Sequence, residues 1–583
     1  MNHRPGNLCL AFLAGIPVMG WAAVEDWFGR FDYAGDAIAY LDIAKAVSRG
    51  DWSLAFSPYW SIGYPLIISA TRWMFPPGPQ GEWMAIHVVN LVIFLVTYLS
   101  FLYFLKIAAI YTAEANGAKT ASSESGFIFV IGTSIFLLWQ LLIGNVSRVS
   151  PDLLVSGVFF LITALSLQFV MRPQVKTAIL MGLLMGLGYL LKAAFLPLSA
   201  VVILVVLLHN LTRLPADRRP AVVRLAWFFP AMALLAAPYI AANSRALDSF
   251  TLGESASLNY AWSVNHLPSW THWQGGPLSC GAPMHPPQLV LRNPPVFTFA
   301  EPFHVTYPPW FNPFYWYEGY HHGFSIRNQL SALKNNLGLF LQLFFNGPHL
   351  LAKAFASVAL CAAALFLLSG WKTWWKRLLA LWPLYVPSIA AIGMYLMVAI
   401  QPRYVVGFLI LLLATPFLPL FVPTRLCSRK IGYAVVILVL LGSAAILLKN
   451  ERTLLHRAIH DQPYTSDEQW QVGLYLAESG IHPGDQVASV TVGGAMLCTW
   501  ARVGEVHIVG EIGNEAFDPR DQEKDFRLFV GNPAVQQTAF ELFRQAGARM
   551  VIALDVDGRI QGPGWQRIPG TRTWLHRLDE AAP

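Results

Sequence analysis

The sequence predicts a mostly α-helical, polytopic membrane protein, with about eleven transmembrane helices and a small soluble α/β domain at its C-terminal end. Three observations carry that reading. The chain is 55% hydrophobic and only 13% charged, against about 25% charged residues in a soluble protein. A core cannot absorb that much apolar sequence, and a bilayer can. The apolar residues come in separate runs close to the ~20 residues that cross a bilayer as a helix. After residue 448 the runs stop, and short strand-like and helix-like segments alternate instead.

The runs fall near residues 8–24, 84–105, 126–144, 153–171, 177–191, 194–209, 224–242, 348–369, 378–399, 404–422 and 431–448. The first follows Met-Asn-His-Arg and has the length of a signal peptide. Trp21 and Glu25-Asp26 stand where a small-residue cleavage site belongs, so it is read as a retained helix. The fifth is short and carries Gly182, Gly186 and Gly188, which let helices pack closely.

Basic residues set the orientation. With a cytoplasmic N-terminus, alternate loops carry Lys106, then Arg172 and Lys176, then Arg213, Arg218, Arg219 and Arg224. Lys372, Lys376 and Arg377 follow, then Arg425, Arg429 and Lys430. This is the positive-inside pattern, and it accounts for the net charge of +7 without a nucleic-acid partner. An odd number of spans puts three large pieces, 25–83, 243–347 and 449–583, on the extracytoplasmic side of a bacterial inner (plasma) membrane. The transmembrane domain is then 1–448 and the soluble domain 449–583. Five cysteines (Cys9, Cys280, Cys361, Cys427, Cys498) form neither a metal-ligand pair nor a disulfide framework. Cys280 and Cys498 are the two that can meet outside the membrane.

In 449–583, a helix is expected at 466–480, opened by Ser466 and closed by Gly480. Strands follow at Val487–Val492, Val506–Ile512 and Met550–Leu554, with a helix at 533–546 before the last. The tail reads as a hairpin, Trp565–Ile568 and Trp574–Leu578 around Pro569-Gly570. Gly493-Gly494 is no phosphate-binding fingerprint, and no catalytic constellation is visible. A folding or docking role is the plain reading.

The first outer loop is richer. From Asp36, apolar residues recur at Ile38, Leu41, Ala44 and Val47, the spacing of an amphipathic helix lying on the membrane surface. Asp36 either caps this helix or acts as a general base on an acceptor hydroxyl. Asp152, after Pro151, again reads as a cap or as a second acid. Lys192 ends a glycine-rich span, where a cation snorkels or meets an anion. Arg403, in Gln401-Pro402-Arg403-Tyr404, opens the tenth span on the same side. Two acids and two cations thus share one membrane face. Cations there suit a lipid phosphate or pyrophosphate, and a nearby carboxylate suits deprotonation of a nucleophile.

These segments together resemble the GT-C superfamily of glycosyltransferases, in particular the bacterial relatives of protein O-mannosyltransferases and the lipid A aminoarabinose transferases. The likeness rests on Asp36…Tyr40…Ala44…Gly50, Tyr64-Pro65-Leu66, Pro151-Asp152, Gly186-Leu-Gly188-Tyr189-Leu-Leu-Lys192 and Arg403-Tyr404. Pro238-Tyr239-Ile240…Asn243 adds to it, and the whole covers roughly residues 8–425. Ala37 stands where the family often has a second acid, and Ala242 where it has an Arg. The resemblance implies a GT-C-like fold and a hexosyl- or pentosyltransferase that takes its sugar from a polyprenyl-phosphate carrier. It implies Asp36 as general base, Asp152 as supporting acid, and Lys192 and Arg403 as holders of the donor phosphate. Tyr40, Tyr64 and Tyr404 would contact sugar or acceptor. The acceptor is a glycan, a lipid or a protein. No cofactor is assigned, and a divalent metal is left open without a ligand set.

The long loop 243–347 carries Asn259-Tyr-Ala-Trp262, and a second aromatic stretch from Thr306 to His322. Trp316 and Glu318 suit sugar stacking and sugar hydroxyls; interfacial anchoring and loop packing explain the same residues equally well. His321-His322 with His285 or His304 is a weak metal pattern. A lipid-linked oligosaccharide polymerase or ligase, a secondary transporter and a non-catalytic scaffold are the alternatives. No internal repeat marks a transporter, and the distinctive charges lie at the boundary instead of mid-membrane.

Overall fold

The structure is a computed structural model. It describes residues 6–31, 33, 35–117, 126–213, 218–269, 272–275, 280–299, 301–345, 371–421, 465–491, 497–513, 519–554, 558–560 and 562–578, with isolated positions between 346 and 464.

Among the described residues, five helices are long and apolar enough to cross a bilayer: Pro79–Ala115, Asp152–Met171, Phe195–Thr212, Arg219–Ala246 and Pro402–Pro419. Lys372–Leu379 and Trp382–Met397 make a sixth span if taken together across their 71° bend. Ile128–Gly144 and Val175–Leu191 are apolar but shorter, and Gly6–Phe28 covers the first expected run. The expected spans 348–369 and 431–448 lie outside the described residues, so the described helices do not add up to eleven.

Pro79–Ala115 runs well past the expected 84–105. Its 37 residues make a rod of about 55 Å, against ~30 Å of hydrocarbon. Glu82, Lys106 and Glu114 interrupt the apolar run, yet all are good helix formers, so the helix continues past both ends of the expected span. Close packing at the short fifth span has a steric basis. A Cβ on Gly182 would stand 2.2 Å from the backbone oxygen of Phe228 in Phe228–Ala246.

The amphipathic helix forms at Gly35–Arg49. Of its expected apolar stripe, Ile38, Leu41 and Ala44 are buried and Val47 is half-buried. It does not lie free on a membrane surface, however. Asp42, on its polar side, is also buried, because the soluble domain covers that face.

The C-terminal region is built on a seven-stranded sheet in the order β1-β2-β4-β3-β5-β7-β6. The strands are β1 Gln288–Arg292, β2 Pro295–Thr298, β3 Gln486–Thr491, β4 His507–Ile512, β5 Met550–Leu554, β6 Trp565–Arg567 and β7 Thr573–Arg577. The central β4, β3 and β5 are parallel, and β6 and β7 form the expected hairpin. The expected helices appear as Thr465–Glu478 and Pro533–Gln545. Thr499–Val503 and Pro519–Gly531 are additional.

β1 and β2 come from the long loop and pair antiparallel onto β4. The sheet is therefore made by two stretches of chain about two hundred residues apart, and the loop and the domain lie on one side of the helices. β5 shows how the sheet sits. Met550 and Ile552 join the core shared with the membrane helices. Val551 and Ala553 join a second core, with Phe526, Phe529, Phe540 and Phe543 of the covering helices. Both faces are buried, which is why this strand reads as a continuous apolar run.

Candidate active site

Four helix ends converge on one cavity of about 520 Å³. Asp36 comes from the first turn of Gly35–Arg49, and Asp152 from the start of Asp152–Met171. Lys192 caps the end of Val175–Leu191, and Arg403 opens Pro402–Ala414. Gly63 helps them meet, since any Cβ there would stand 2.7 Å from the backbone oxygen of Leu190. Tyr239 ties down the neighbouring wall, its hydroxyl donating to the carbonyls of Ser57 and Trp60 at 3.1 and 2.9 Å.

The four charges alternate in sign. Arg403 Nη2 donates to Asp36 Oδ2 at 2.5 Å, and its Nε lies 3.6 Å from Asp152 Oδ2. Lys192 Nζ donates to Asp152 Oδ1 at 2.6 Å, and Ser150 Oγ donates to Asp152 Oδ2 at 3.2 Å. The Trp310 indole N–H donates to Asp36 Oδ1 at 3.2 Å. Lys192 Nζ sits 3.5 Å above the Tyr404 ring, a cation–π contact. Asp152 is the most enclosed, its side chain 4% exposed, while Asp36 and Lys192 keep 19% and 21% open to the cavity.

Neither acid is spent as a helix cap. Pro151 occupies the cap position of Asp152–Met171, without a side-chain cap bond. Both carboxylates instead face cations, and Lys192 meets an anion in place of snorkelling alone.

The remaining expected residues divide. Tyr40 and Tyr404 line the cavity. Tyr64 lies behind it, fully buried, its hydroxyl donating to Asn90 Oδ1 at 2.8 Å and its ring edge-on to Tyr40 at 5.7 Å. Trp316 is 5% exposed and donates its indole N–H to the Pro308 carbonyl, so it packs the loop and offers no face for sugar stacking. Glu318 pairs with His285 at 3.1 Å and lines a separate cavity of about 380 Å³ beside Phe303, Asn312 and Tyr315. The sugar-contact expectation at Trp316 and Glu318 is thus displaced from the four charges by loop packing.

Asn259 lines the cavity too, and so do Tyr59 and Tyr395, which were not singled out from the sequence. Asn259 and Trp310 stand in the aromatic loop segments, and nothing in those segments marks which of their many polar and aromatic side chains turns inward. Among the described residues no group of three or more His, Cys, Asp or Glu is placed to hold a metal ion. His322 instead contacts Ser257 and Tyr320. The two cavity acids face cations. Cys280 and Cys498 are both free.

The fold is therefore that of a helical membrane protein in which helix ends, a long loop and a sheet domain enclose one cavity lined by two acids and two cations. Among solved structures the chain is similar to ArnT of Cupriavidus metallidurans, a lipid A aminoarabinose transferase, in its undecaprenyl-phosphate-bound form. The TM-score is 0.54, with 12% identity over 100% of both chains. The apo form of the same protein matches at 0.52, with 13% identity over 98% of both. The apo oligosaccharyltransferase of Archaeoglobus fulgidus matches at 0.43, with 11% identity over 92% of this chain and 69% of that one. At these identities the likeness to ArnT is one of fold. No family model matches the chain, and no curated protein matches it.

Proposed function

We propose that this chain is a glycosyltransferase that moves a sugar from a polyprenyl-phosphate carrier to a glycan, lipid or protein acceptor, with Asp36 as general base. The observation that carries the reading is the convergence of Asp36, Asp152, Lys192 and Arg403 on one cavity. The ArnT-like fold supports it, since that protein was solved with undecaprenyl phosphate bound. A cavity of about 520 Å³ also sits within the ~300–1,000 Å³ typical of small-ligand sites, which suits one sugar phosphate better than a long glycan groove.

Within the structure the four charges satisfy one another. The donor phosphate takes over Arg403 and Lys192, and Asp36 loses its Arg403 partner while keeping the Trp310 N–H. Asp152 holds both cations in place from behind. The freed Asp36 carboxylate accepts the proton of an acceptor hydroxyl, and that oxygen attacks the anomeric carbon. The bond from that carbon to the phosphate oxygen breaks, and its electron pair leaves with the phosphate. Lys192 and Arg403 stabilise the added negative charge. A single displacement of this kind inverts the anomeric centre. The cavity and the soluble domain face the extracytoplasmic side of a bacterial inner membrane, with the N-terminus cytoplasmic.

The test is incubation of purified protein with labelled undecaprenyl-phosphate pentoses and hexoses. Release of undecaprenyl phosphate supports the reading. Its absence across the panel, together with solute uptake by reconstituted vesicles, favours a transporter instead.

A further inference from the structure

We infer that Arg502, in the soluble domain, is a positioning residue for Asp36; this rests on the reading of Asp36 as the base. Arg502 lies outside the cavity, its side chain only 7% exposed. It sits in the short helix Thr499–Val503 between β3 and β4. Its Nη1 donates to Asp42 Oδ1 at 2.7 Å. Its Nε and Nη2 donate to Glu82 Oε1 and Oε2 at 2.9 and 2.5 Å. One guanidinium thereby locks the soluble domain to two membrane-domain helices, Gly35–Arg49 and Pro79–Ala115.

Asp42 is the junction. It stands six residues after Asp36 on the same helix, and it also accepts from the Thr306 backbone N–H at 3.1 Å and the Thr306 hydroxyl at 2.9 Å. Four residues after Thr306 comes Trp310, which donates to Asp36. The helix carrying Asp36 and the loop carrying its hydrogen-bond donor are therefore pinned at one carboxylate, and Arg502 holds that carboxylate. The same short helix grips the chain just before Asp36, where the Thr499 hydroxyl donates to the Tyr33 carbonyl at 2.8 Å. A bidentate grip on Glu82 plus a third bond to Asp42 needs a planar fork, and a lysine ammonium does not supply that geometry. Misplacement of a catalytic group by about 1 Å can cost on the order of a hundredfold in rate.

The experiment compares the full-length wild type with Arg502→Lys, Thr306→Val and Asp36→Asn. It reads undecaprenyl phosphate binding stoichiometry and Kd, then kcat and KM with whichever undecaprenyl-phosphate sugar turns over in the donor panel. Arg502→Lys is expected to lower kcat by at least about tenfold, with KM and Kd within about threefold of wild type. Thr306→Val, which keeps every ion pair, is expected to lower kcat in the same direction by a smaller factor. A purely structural role would lower binding stoichiometry and activity together. That result, or an unchanged kcat in Arg502→Lys, overturns the inference. If Arg502→Lys fails to fold, Thr306→Val decides: an intact binding stoichiometry with wild-type kcat overturns it, and a several-fold lower kcat supports it. Full turnover by Asp36→Asn overturns the reading of the site and the inference with it, whereas an inactive Asp36→Asn beside a fully active Arg502→Lys overturns the inference alone.

Discussion

Two clusters of acids and cations flank the helix Gly35–Arg49, and they differ in access. At its first turn, Asp36 pairs with Arg403, which lies beside Asp152 and Lys192, and the group opens into a cavity. Six residues on, Asp42 shares Arg502 with Glu82, and that group is sealed between the soluble domain and the membrane helices. Both contain ion pairs of similar length, so pair distance does not distinguish them. On the proposed function, a phosphate enters the open cluster and replaces a carboxylate at each cation. In the sealed cluster any exchange would strand a buried charge, which costs several kcal/mol. The open cluster is suited to chemistry and the sealed one to registration.

The sharpest way to break that comparison is Asp36→Asn. A general base contributes about 10²- to 10⁴-fold, so turnover should fall by that much, while undecaprenyl phosphate binding and the thermal midpoint stay near wild type. Turnover within a few-fold of wild type would leave the open cluster without its assigned role. The sealed cluster should respond in the opposite way, through stability. Arg502→Met strands Asp42 and Glu82, and removing one partner of a buried pair costs about 3–5 kcal/mol, seen as a lowered unfolding midpoint. Neutralising all three, as Arg502→Met with Asp42→Asn and Glu82→Gln, should recover much of that loss. No recovery would mean that packing around Arg502 matters more than its charge.

Lys192→Met probes the open cluster from the cation side. Loss of one charged hydrogen bond to the phosphate, about 1.5–3 kcal/mol, should weaken undecaprenyl phosphate binding roughly ten- to a hundredfold. Fluorescence quenching or thermal-shift titration with the lipid reads this directly. An unchanged affinity would put the phosphate on Arg403 alone.

The sequence brought the four residues of the open cluster together by their expected sidedness, and they do line one cavity. Apolar run length and loop charge place Asp36, Asp152, Lys192 and Arg403 at one membrane face, and helix ends at one face of a bundle are natural neighbours. The covering layer was not legible. β1 pairs β2, and β2 pairs β4, across some two hundred residues, and period-2 patterning carries no address for a partner strand. Arg502 reads as an ordinary charge in a connection between strand-like runs; only the docking of Thr499–Val503 against Gly35–Arg49 makes it buried. Trp316 shows the converse. Its composition and neighbours suit a sugar platform, yet its indole is used to close the loop on itself. Side-chain direction within an aromatic loop is set by tertiary packing, which local pattern does not encode.

A third ion pair calibrates the other two. Glu523, on the outer surface of the soluble domain, accepts from Arg559 at 2.6 Å and from Arg527 at 2.8 Å. The hydrogen bonds from Arg559 and Arg527 hold its carboxyl below the usual glutamate range. Because the folded value is the lower one, the pair stabilises the fold at neutral pH, and that contribution fades as pH falls through the glutamate range. A half-exposed pair of this kind, largely screened by solvent, contributes about 1 kcal/mol. Glu523→Gln should therefore lower the thermal midpoint slightly at pH 7, leave turnover unchanged, and match wild type once both are acidified below the range where the carboxylate titrates. A loss at pH 7 as large as that of Arg502→Met would show that burial does not set the strength of these pairs, and the contrast between sealed and open clusters would need another cause.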